Sequence, residues 1–326
     1  ATCVTGLCTY AKGIGEELTF FGQLIMLLMI QVGGLGFVTV LTFFITLIAS
    51  KLQFRNRYLL SQMVGSTNFA DVVKFVRKLI LISAVAEVVG TLLLLPVFMT
   101  AYKSNPVQGI WVSLFTSVSA FNNAGFDLFG AASIIYENGM IGTGSAAISV
   151  SVPLYIYMCI VIMFLIVVGV ISFLVIIDIF GFKKINQWRA FTKIVLSTTG
   201  VLLAFGFVAF LLTDVIFTKN GMDVFQALFQ SVTLRTAGFA TYNQDNISLI
   251  GKIISCGLMF IGGSPLSTAG GIKTTTVFMV LLAMYSYFRG KHVIAFKRTY
   301  SSNMIVKAMS LVFLGIGMII TALIFI

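Results

Sequence analysis

Two stretches of the chain end in nearly the same polar run and could supply backbone oxygens to a cation. Trp111–Phe126 reads WVSLFTSVSAFNNAGF, and Asp223–Phe239 reads DVFQALFQSVTLRTAGF. In each stretch, an amphipathic segment too short to cross a bilayer precedes five residues that end in Gly-Phe. Glycine tolerates a positive φ angle, so this backbone can turn its carbonyl groups inward as cation ligands. The pattern favours a pore for a dehydrated monovalent cation, most simply K⁺.

We name these runs the second pentad (Asn122–Phe126) and the third pentad (Arg235–Phe239). A weaker copy, the first pentad, is CVTGL at Cys3–Leu7. Their glycines lie 119 and 113 residues apart, which indicates a repeat of about 115 residues. An ordinary outer loop with a helix-capping glycine is the alternative interpretation. The predicted carbonyl ligands, with K⁺ as the only metal at the site, are Val4, Thr5, Gly6, Asn123, Ala124, Gly125, Thr236, Ala237 and Gly238.

A glycine-rich stretch inside an apolar segment predicts a break in a membrane helix. Phe260–Thr276 reads FIGGSPLSTAGGIKTTT, and its four glycines and proline disfavour helix from Gly262 to Ile272. A loop at this depth below the pentads would obstruct the pore, so we expect it to act as a gate. The alternative is a simple packing kink. The predicted gate residues are Gly262, Gly263, Ser264, Pro265, Ser267, Thr268, Gly270, Gly271 and Lys273.

Several charged residues near these motifs need a partner or a role. Lys273 could add an electrostatic barrier, or it could pair with Asp178 or Glu87. Glu87 lies in an apolar segment, where acids are functional candidates, although a hydrogen bond to a neighbouring helix is the simpler expectation. Asp127 follows the second pentad and could attract cations, or it could be a solvated loop acid.

Arg235 begins the third pentad, where a bare cation would repel the ion. We therefore expect its side chain to point behind the pentad and pair with an acid. Asp127, Asp223 and Asp245 are the candidates, and the sequence does not rank them.

Composition places the chain in a membrane, because 59% of its residues are apolar and only 10% are charged. The net charge of +11 could suggest a nucleic-acid partner, but 15 of the 21 Lys and Arg residues lie in alternate connecting loops. This asymmetry predicts a multi-pass protein of the cell membrane with basic loops in the cytoplasm and no nucleic-acid partner. The predicted spans are Leu18–Ser50, Leu79–Thr100, Pro153–Phe180, Ile194–Thr213, Leu249–Phe288 and Ile305–Ile326.

These elements predict an all-α integral membrane fold with pseudo-fourfold repeats of helix, pore loop and helix around a central ion pore. Residues 1–50 would close the first repeat, 79–182 and 194–288 would form the second and third, and 305–326 would open the fourth. The first outer helix, the fourth pore loop and the last inner helix are expected to be missing. An intramembrane enzyme is the rival class. The glycine-rich stretch, however, contains neither a His nor an acidic residue that could activate Ser264 or Ser267.

CVTGL, SAFNNAGF, LRTAGF and GGSPLSTAGGIK together resemble the Ktr/Trk/HKT family of potassium transporters, over the whole chain and in order. The likeness is greatest to the bacterial Ktr-type membrane subunit. The resemblance implies K⁺ coordination at Gly6, Gly125 and Gly238 and gating by the loop at 262–272. It implies a homodimer, docked on a cytoplasmic ring of nucleotide-binding subunits, with no cofactor in this chain. Glycine at Gly6 marks potassium-type members of this family, whereas serine there marks relatives that prefer Na⁺. A Na⁺-passing or weakly selective monovalent cation transporter of the same superfamily is the alternative.

Overall fold

The computed structural model describes residues 13–36, 69–130, 133–181, 185–218, 221–290, 292–296 and 298–325. These ranges are mostly helical. The helices are α1 (Ile14–Glu17), α2 (Phe20–Leu35), α3 (Phe69–Ala101), α4 (Pro106–Phe121), α5 (Val152–Val170), α6 (Phe173–Gly181), α7 (Ala190–Phe210, continued as a π-helix over Leu211–Phe217), α8 (Val224–Thr233), α9 (Leu249–Phe260), α10 (Thr274–Phe288) and α11 (Ser302–Phe325). Single 3₁₀ turns lie at Gly144–Ala146, Ile185–Gln187 and Gln244–Asn246.

Four of the described helical segments are long and apolar enough to cross a bilayer. They are Phe75–Ala101, Val152–Val170, Ala190–Phe217 and Ser302–Ala322. Their burial differs, since 50% of the apolar window is buried in Val152–Val170 and only 6% in Ser302–Ala322. Phe313 and Leu314 on α11 are exposed, as expected for a helix that faces lipid or another membrane helix.

Two predicted spans are each divided into two helices. The segment Leu249–Phe288 becomes α9 and α10, with the predicted interruption between them. The segment Pro153–Phe180 was predicted as one helix, but the structure ends α5 at Val170 and begins α6 at Phe173. Of the first predicted span, α2 covers the N-terminal half, and the residues after Gly36 lie outside the described part.

Two helices too short to span lie between the spanning ones, as the sequence predicted. The helix α4 begins at Pro106 after an Asn105 cap and packs between α3 and α5. The helix α8 begins with a capping box in which Asp223 and Gln226 satisfy each other's backbone groups, and it packs against α7. The helix α4 ends directly before the second pentad, and one residue, Leu234, separates α8 from the third pentad.

A small antiparallel sheet follows the second pentad in the chain. Its strands β1 (Tyr136–Glu137), β2 (Met140–Ile141) and β3 (Ile148–Ser149) follow in chain order. The sheet is tied to the segment after the pentad by the Thr143 N–H, which donates to the Phe129 carbonyl at 2.9 Å. A two-stranded hairpin, β4 (Ile294–Ala295) with β5 (Arg298–Thr299), joins α10 to α11.

Candidate functional site

The second and third pentads have the same backbone conformation at matched positions. Asn123 and Thr236 have φ angles of 53° and 68°, and the glycines two residues later, Gly125 and Gly238, have φ angles of 70° and 93°. A positive φ is costly for Thr because its Cβ is branched, so the surrounding structure must hold this conformation in place. The first pentad, with Val4, Thr5 and Gly6, lies outside the described residues.

The two pentads are in direct contact. A Cβ atom added at Gly125 would lie 2.4 Å from the carbonyl oxygen of Ala237 and 2.7 Å from the Cα of Gly238. Both the close approach and the positive φ therefore require glycine at position 125. The structure thus brings six of the predicted ligand residues, Asn123–Gly125 and Thr236–Gly238, together at one place.

Each pentad is fixed to the C-terminal end of its own short helix. The Ala124 N–H donates to the Ser119 carbonyl at 2.8 Å, and the Ala237 N–H donates to the Thr233 carbonyl at 2.9 Å. The Ser119 hydroxyl accepts from the Phe126 N–H at 3.0 Å. These bonds hold the pentads where the negative ends of the helix dipoles point.

Asp127, directly after the second pentad, is buried rather than solvated, so the interpretation of a solvated loop acid is wrong. Its carboxylate accepts from the Phe129 N–H at 3.1 Å and from Ser133. Burial raises the pKa of the Asp127 carboxyl to about 6, although both hydrogen bonds act to lower it. Ser133 also accepts from the Ala240 N–H at 3.3 Å, so this serine joins the segments that follow the two pentads.

The interruption between α9 and α10 is a compact loop whose ends are paired. We call Ile261–Lys273 the intramembrane loop. The Ile272 N–H donates to the Phe260 carbonyl and the Gly263 N–H donates to the Gly270 carbonyl, both at 3.1 Å. A Cβ at Gly262 would lie 1.8 Å from the Gly270 carbonyl oxygen, so the two ends of the loop touch.

The break between α5 and α6 is filled by this same loop. The Ser264 and Thr268 N–H groups donate to the carbonyls of Val170 and Gly169, each at 3.2 Å, and the Phe173 N–H donates to the Leu266 carbonyl at 3.0 Å. Buried backbone groups need partners, and here two interrupted helices supply them to each other. The sequence interpretation missed this break because Ile171-Ser172 contains no helix breaker.

The intramembrane loop also contacts both pentads. The Asn123 amide donates to the Thr268 hydroxyl at 2.8 Å, and that hydroxyl lies 3.0 Å from the Phe121 carbonyl oxygen, to which it can donate. The Gly270 N–H donates to the Thr236 hydroxyl at 3.2 Å. The predicted gate residues therefore lie directly against the predicted ligands.

Arg235 reaches the intramembrane loop, and the predicted acid partner is wrong. Its Nη2 donates to the Gly262 carbonyl at 3.2 Å, and its side chain is almost fully buried. Among the described residues, no ion pair joins it to Asp127, Asp223 or Asp245, and its Nε and Nη1 have no hydrogen-bond partner. A backbone carbonyl freed by the helix break takes the place of the acid.

The suggested pairing of Lys273 with Asp178 or Glu87 is also wrong. The Lys273 ammonium donates to the Ala269 carbonyl at 2.7 Å, within the intramembrane loop. Asp178 instead pairs with Arg189, whose Nε lies 3.5 Å from it. The expected hydrogen bond from Glu87 to a neighbouring helix is confirmed, because Gln31 on α2 donates to its carboxylate at 2.9 Å.

Membrane-spanning helices, paired short helices and a broken inner helix define a class of membrane transport proteins, and comparison with known proteins identifies the family. The chain matches the family model of TrkH, described as a cation transport protein, over residues 1–326. The chain belongs to this family of membrane cation transporters.

Two bacterial relatives illustrate the similarity. The potassium/sodium uptake protein NtpJ of Enterococcus hirae is 31% identical over 99% of this chain and 68% of its own length. The Ktr system potassium uptake protein B of Bacillus subtilis is 30% identical over 97% of this chain and 70% of its own length.

The fold agrees with a solved structure at low sequence identity. The crystal structure of the potassium transporter TrkH from Vibrio parahaemolyticus matches with a TM-score of 0.62 and 16% identity. The match covers 94% of this chain, which spans 59% of that structure's length.

Proposed function

We propose that this chain forms most of a K⁺ uptake pore whose selectivity filter is built from the carbonyl groups of the pentads. The observation that carries the proposal is the meeting of two matched pentads at Gly125 and Gly238. Backbone that adopts a left-handed conformation at every second residue can bring its carbonyls to one side, where they replace the hydration shell of a cation. The dipoles of α4 and α8 favour a cation at the same place.

We further propose that the pore is completed as four such repeats and that the first pentad, with Gly6, contributes equally. The protein would sit in the cell membrane with its basic loops in the cytoplasm. A homodimer docked on a cytoplasmic, nucleotide-binding regulatory ring is proposed from the family resemblance. The potassium uptake named for the Bacillus subtilis relative supports the choice of K⁺.

The intramembrane loop is proposed as the gate of this pore. It hydrogen-bonds to Asn123 in the second pentad and Thr236 in the third, and to the carbonyls of α5. A rearrangement of the loop would therefore exchange several backbone hydrogen bonds at once, which gives the gate two distinct arrangements rather than a continuous range.

Thr268→Val tests this gate with little change of shape. It removes the hydroxyl that contacts Asn123 and Phe121, and the loss of a buried hydrogen bond should raise the K⁺ uptake rate about fivefold by weakening the closed arrangement. Ser267→Ala is the matched control, because the Ser267 hydroxyl donates within the loop, to the Ser264 carbonyl, and contacts neither pentad in the part of the chain that the structure describes. Equal uptake by a well-folded Thr268→Val variant and the parent would argue that the loop is a packing kink.

The pore itself is tested by uptake measurements on the full-length protein in cells that lack their own K⁺ uptake systems. We expect K⁺ uptake that excess Na⁺ inhibits weakly. A weakly selective or Na⁺-passing transporter is the second candidate, favoured by the naming of the NtpJ relative as a potassium/sodium uptake protein. Comparable competition by Na⁺ would support that candidate, and no cation uptake at all would contradict both.

A further inference from the structure

A buried carboxylate on the spanning helix α3 gathers donors from three different elements. Glu87 Oε1 accepts from the Ser83 hydroxyl at 2.9 Å, from Gln31 Nε2 on α2 at 2.9 Å and from Asn122 Nδ2 at 3.0 Å. Its Oε2 accepts from Gln31 Nε2 at 3.0 Å. No Lys or Arg forms an ion pair with it in the part of the chain that the structure describes.

One of these donors is the first residue of the second pentad. The Asn122 amide also lies 3.0 Å from both the Gln31 amide oxygen and the Val118 carbonyl. A Cβ at Gly34 of α2 would lie 2.0 Å from Asn122 Oδ1, so α2 closes against this side chain. Asn122 is therefore clamped between α2, α3 and the end of α4, directly before the predicted ligands Asn123–Gly125.

The third repeat provides an internal comparison. The Ser117 hydroxyl of α4 donates to the Glu87 carbonyl at 2.7 Å, and the Ser231 hydroxyl of α8 donates to the Leu203 carbonyl at 2.7 Å. The serines also face equivalent glycines, Gly90 and Gly206, three residues further along each outer helix. Glu87 thus corresponds to Leu203.

This correspondence shows that the packing of an outer helix on its short helix does not require an acid. A carboxylate in a membrane helix is costly, and it persists where it serves a function. The residue directly before the predicted ligands also differs between the two repeats. It is Asn122 in the second pentad and Arg235 in the third.

We propose that Glu87 is a positioning residue for ion selectivity, which holds Asn122 and thereby fixes the carbonyls of the second pentad at the spacing suited to K⁺. The inference rests on the proposed function. Selectivity depends on how firmly a filter holds its ligands, so a filter without this clamp could shrink around Na⁺. The role is hydrogen-bonded support and does not require the negative charge itself.

Glu87→Leu, which introduces the residue found at position 203, is the main test. We expect the K⁺ over Na⁺ uptake ratio to fall at least about fivefold, since that is the effect of one lost buried hydrogen bond and the substitution removes the acceptor of three donors. Glu87→Gln keeps an acceptor oxygen of the same reach and should restore most of the ratio. Thr91→Val is the matched control, because the Thr91 hydroxyl bonds the Glu87 backbone carbonyl at 2.7 Å and leaves the carboxylate untouched.

A second measurement, which does not depend on transport, serves if the Glu87→Leu variant takes up too little of either ion. Thermal stabilisation of the purified full-length protein by added K⁺ or Na⁺ should be greater with K⁺ for the parent, Glu87→Gln and Thr91→Val, and similar with both ions for Glu87→Leu. A folded Glu87→Leu protein with the parent's ion preference in both assays would overturn the inference. A parent that neither takes up nor binds K⁺ would instead contradict the proposed function.

If Glu87→Leu does not fold, Gln31→Met removes the other member of the clamp from a different helix. The Gln31→Met variant should also have a lower K⁺ over Na⁺ uptake ratio than the parent. An unchanged preference in a folded Gln31→Met protein would also overturn the inference.

Discussion

The second and third pentads share one backbone conformation but are held by different kinds of structure. The second pentad is supported by side chains of α3 and α2, through Glu87 and Gln31, and by Thr268 of the intramembrane loop. The third depends on the intramembrane loop, through the Arg235 bond to Gly262 and the Gly270 bond to Thr236. A movement of the loop should therefore disturb the third pentad more than the second.

The largest effect is expected where the two pentads touch. Gly125→Ala should reduce K⁺ uptake at least about tenfold, because the new Cβ would collide with the Ala237 carbonyl and because alanine disfavours a positive φ. Gly139→Ala is the control for backbone strain alone, since Gly139 has a φ of 81° and nothing within 4 Å of its added Cβ. Uptake should be near normal in this control. Equal losses in both variants would mean that strain, and not the contact between pentads, causes the defect.

An intermediate effect is expected at a link that the third pentad has and the second lacks. Arg235→Met removes the bond to Gly262 and should lower the K⁺ over Na⁺ uptake ratio about threefold through the loss of one hydrogen bond. The thermal midpoint should not fall, because a buried cation with unpartnered donors is replaced by an apolar side chain. Arg235→Lys, with one donor group, should lie between parent and Met variant. A lower midpoint with unchanged selectivity would indicate that Arg235 only stabilises the fold.

The smallest effect on transport, and an effect on fold stability instead, is expected at Asp127, which follows the second pentad, whereas Ala240 occupies the matching position after the third. Because the folded pKa of about 6 is raised above the ordinary value of 3.8, the protonated form is favoured in the folded protein. Asp127 then destabilises the fold as pH rises from about 4 to about 6, by an amount on the order of 3 kcal/mol.

The comparison of parent with Asp127→Asn isolates this pH dependence. The thermal midpoint of the parent should fall relative to that of the Asn variant between pH 4 and pH 6 and stay level with further increase. Parallel midpoints across this range would show that Asp127 is not buried as described, without bearing on the pentads themselves.

Local sequence patterns predicted the elements of this site, and long-range contacts supplied the rest. The short helices and the interruption at 262–272 could be predicted because glycine, proline and segment length act locally. The break at Ile171-Ser172 could not, since its backbone groups are satisfied by the intramembrane loop, almost a hundred residues away in sequence. The acidic partner predicted for Arg235 is wrong because the sequence shows which acidic side chains are present but not which backbone carbonyls are free to accept a hydrogen bond.

The contacts that clamp Asn122 could not be predicted from the sequence for a similar reason. Glu87 was a visible anomaly in an apolar segment, and a hydrogen bond to another helix was a correct expectation. Its convergence with Gln31 on the start of the second pentad depends on how α2, α3 and α4 pack. Comparison of the two repeats shows Leu203 at the position that corresponds to Glu87. This alignment depends on the matched hydrogen bonds of Ser117 and Ser231, which the sequence does not show.

The most direct test of the account is anomalous diffraction from crystals of the full-length protein soaked with Rb⁺, a heavier substitute for K⁺. The account predicts an anomalous peak within ligand distance of the carbonyls of the second and third pentads, beside Gly125 and Gly238. The peak should weaken when Gly125 is replaced by alanine. Well-ordered pentads with no peak there, or peaks confined to other parts of the protein, would contradict the assignment of these carbonyls as the selectivity filter.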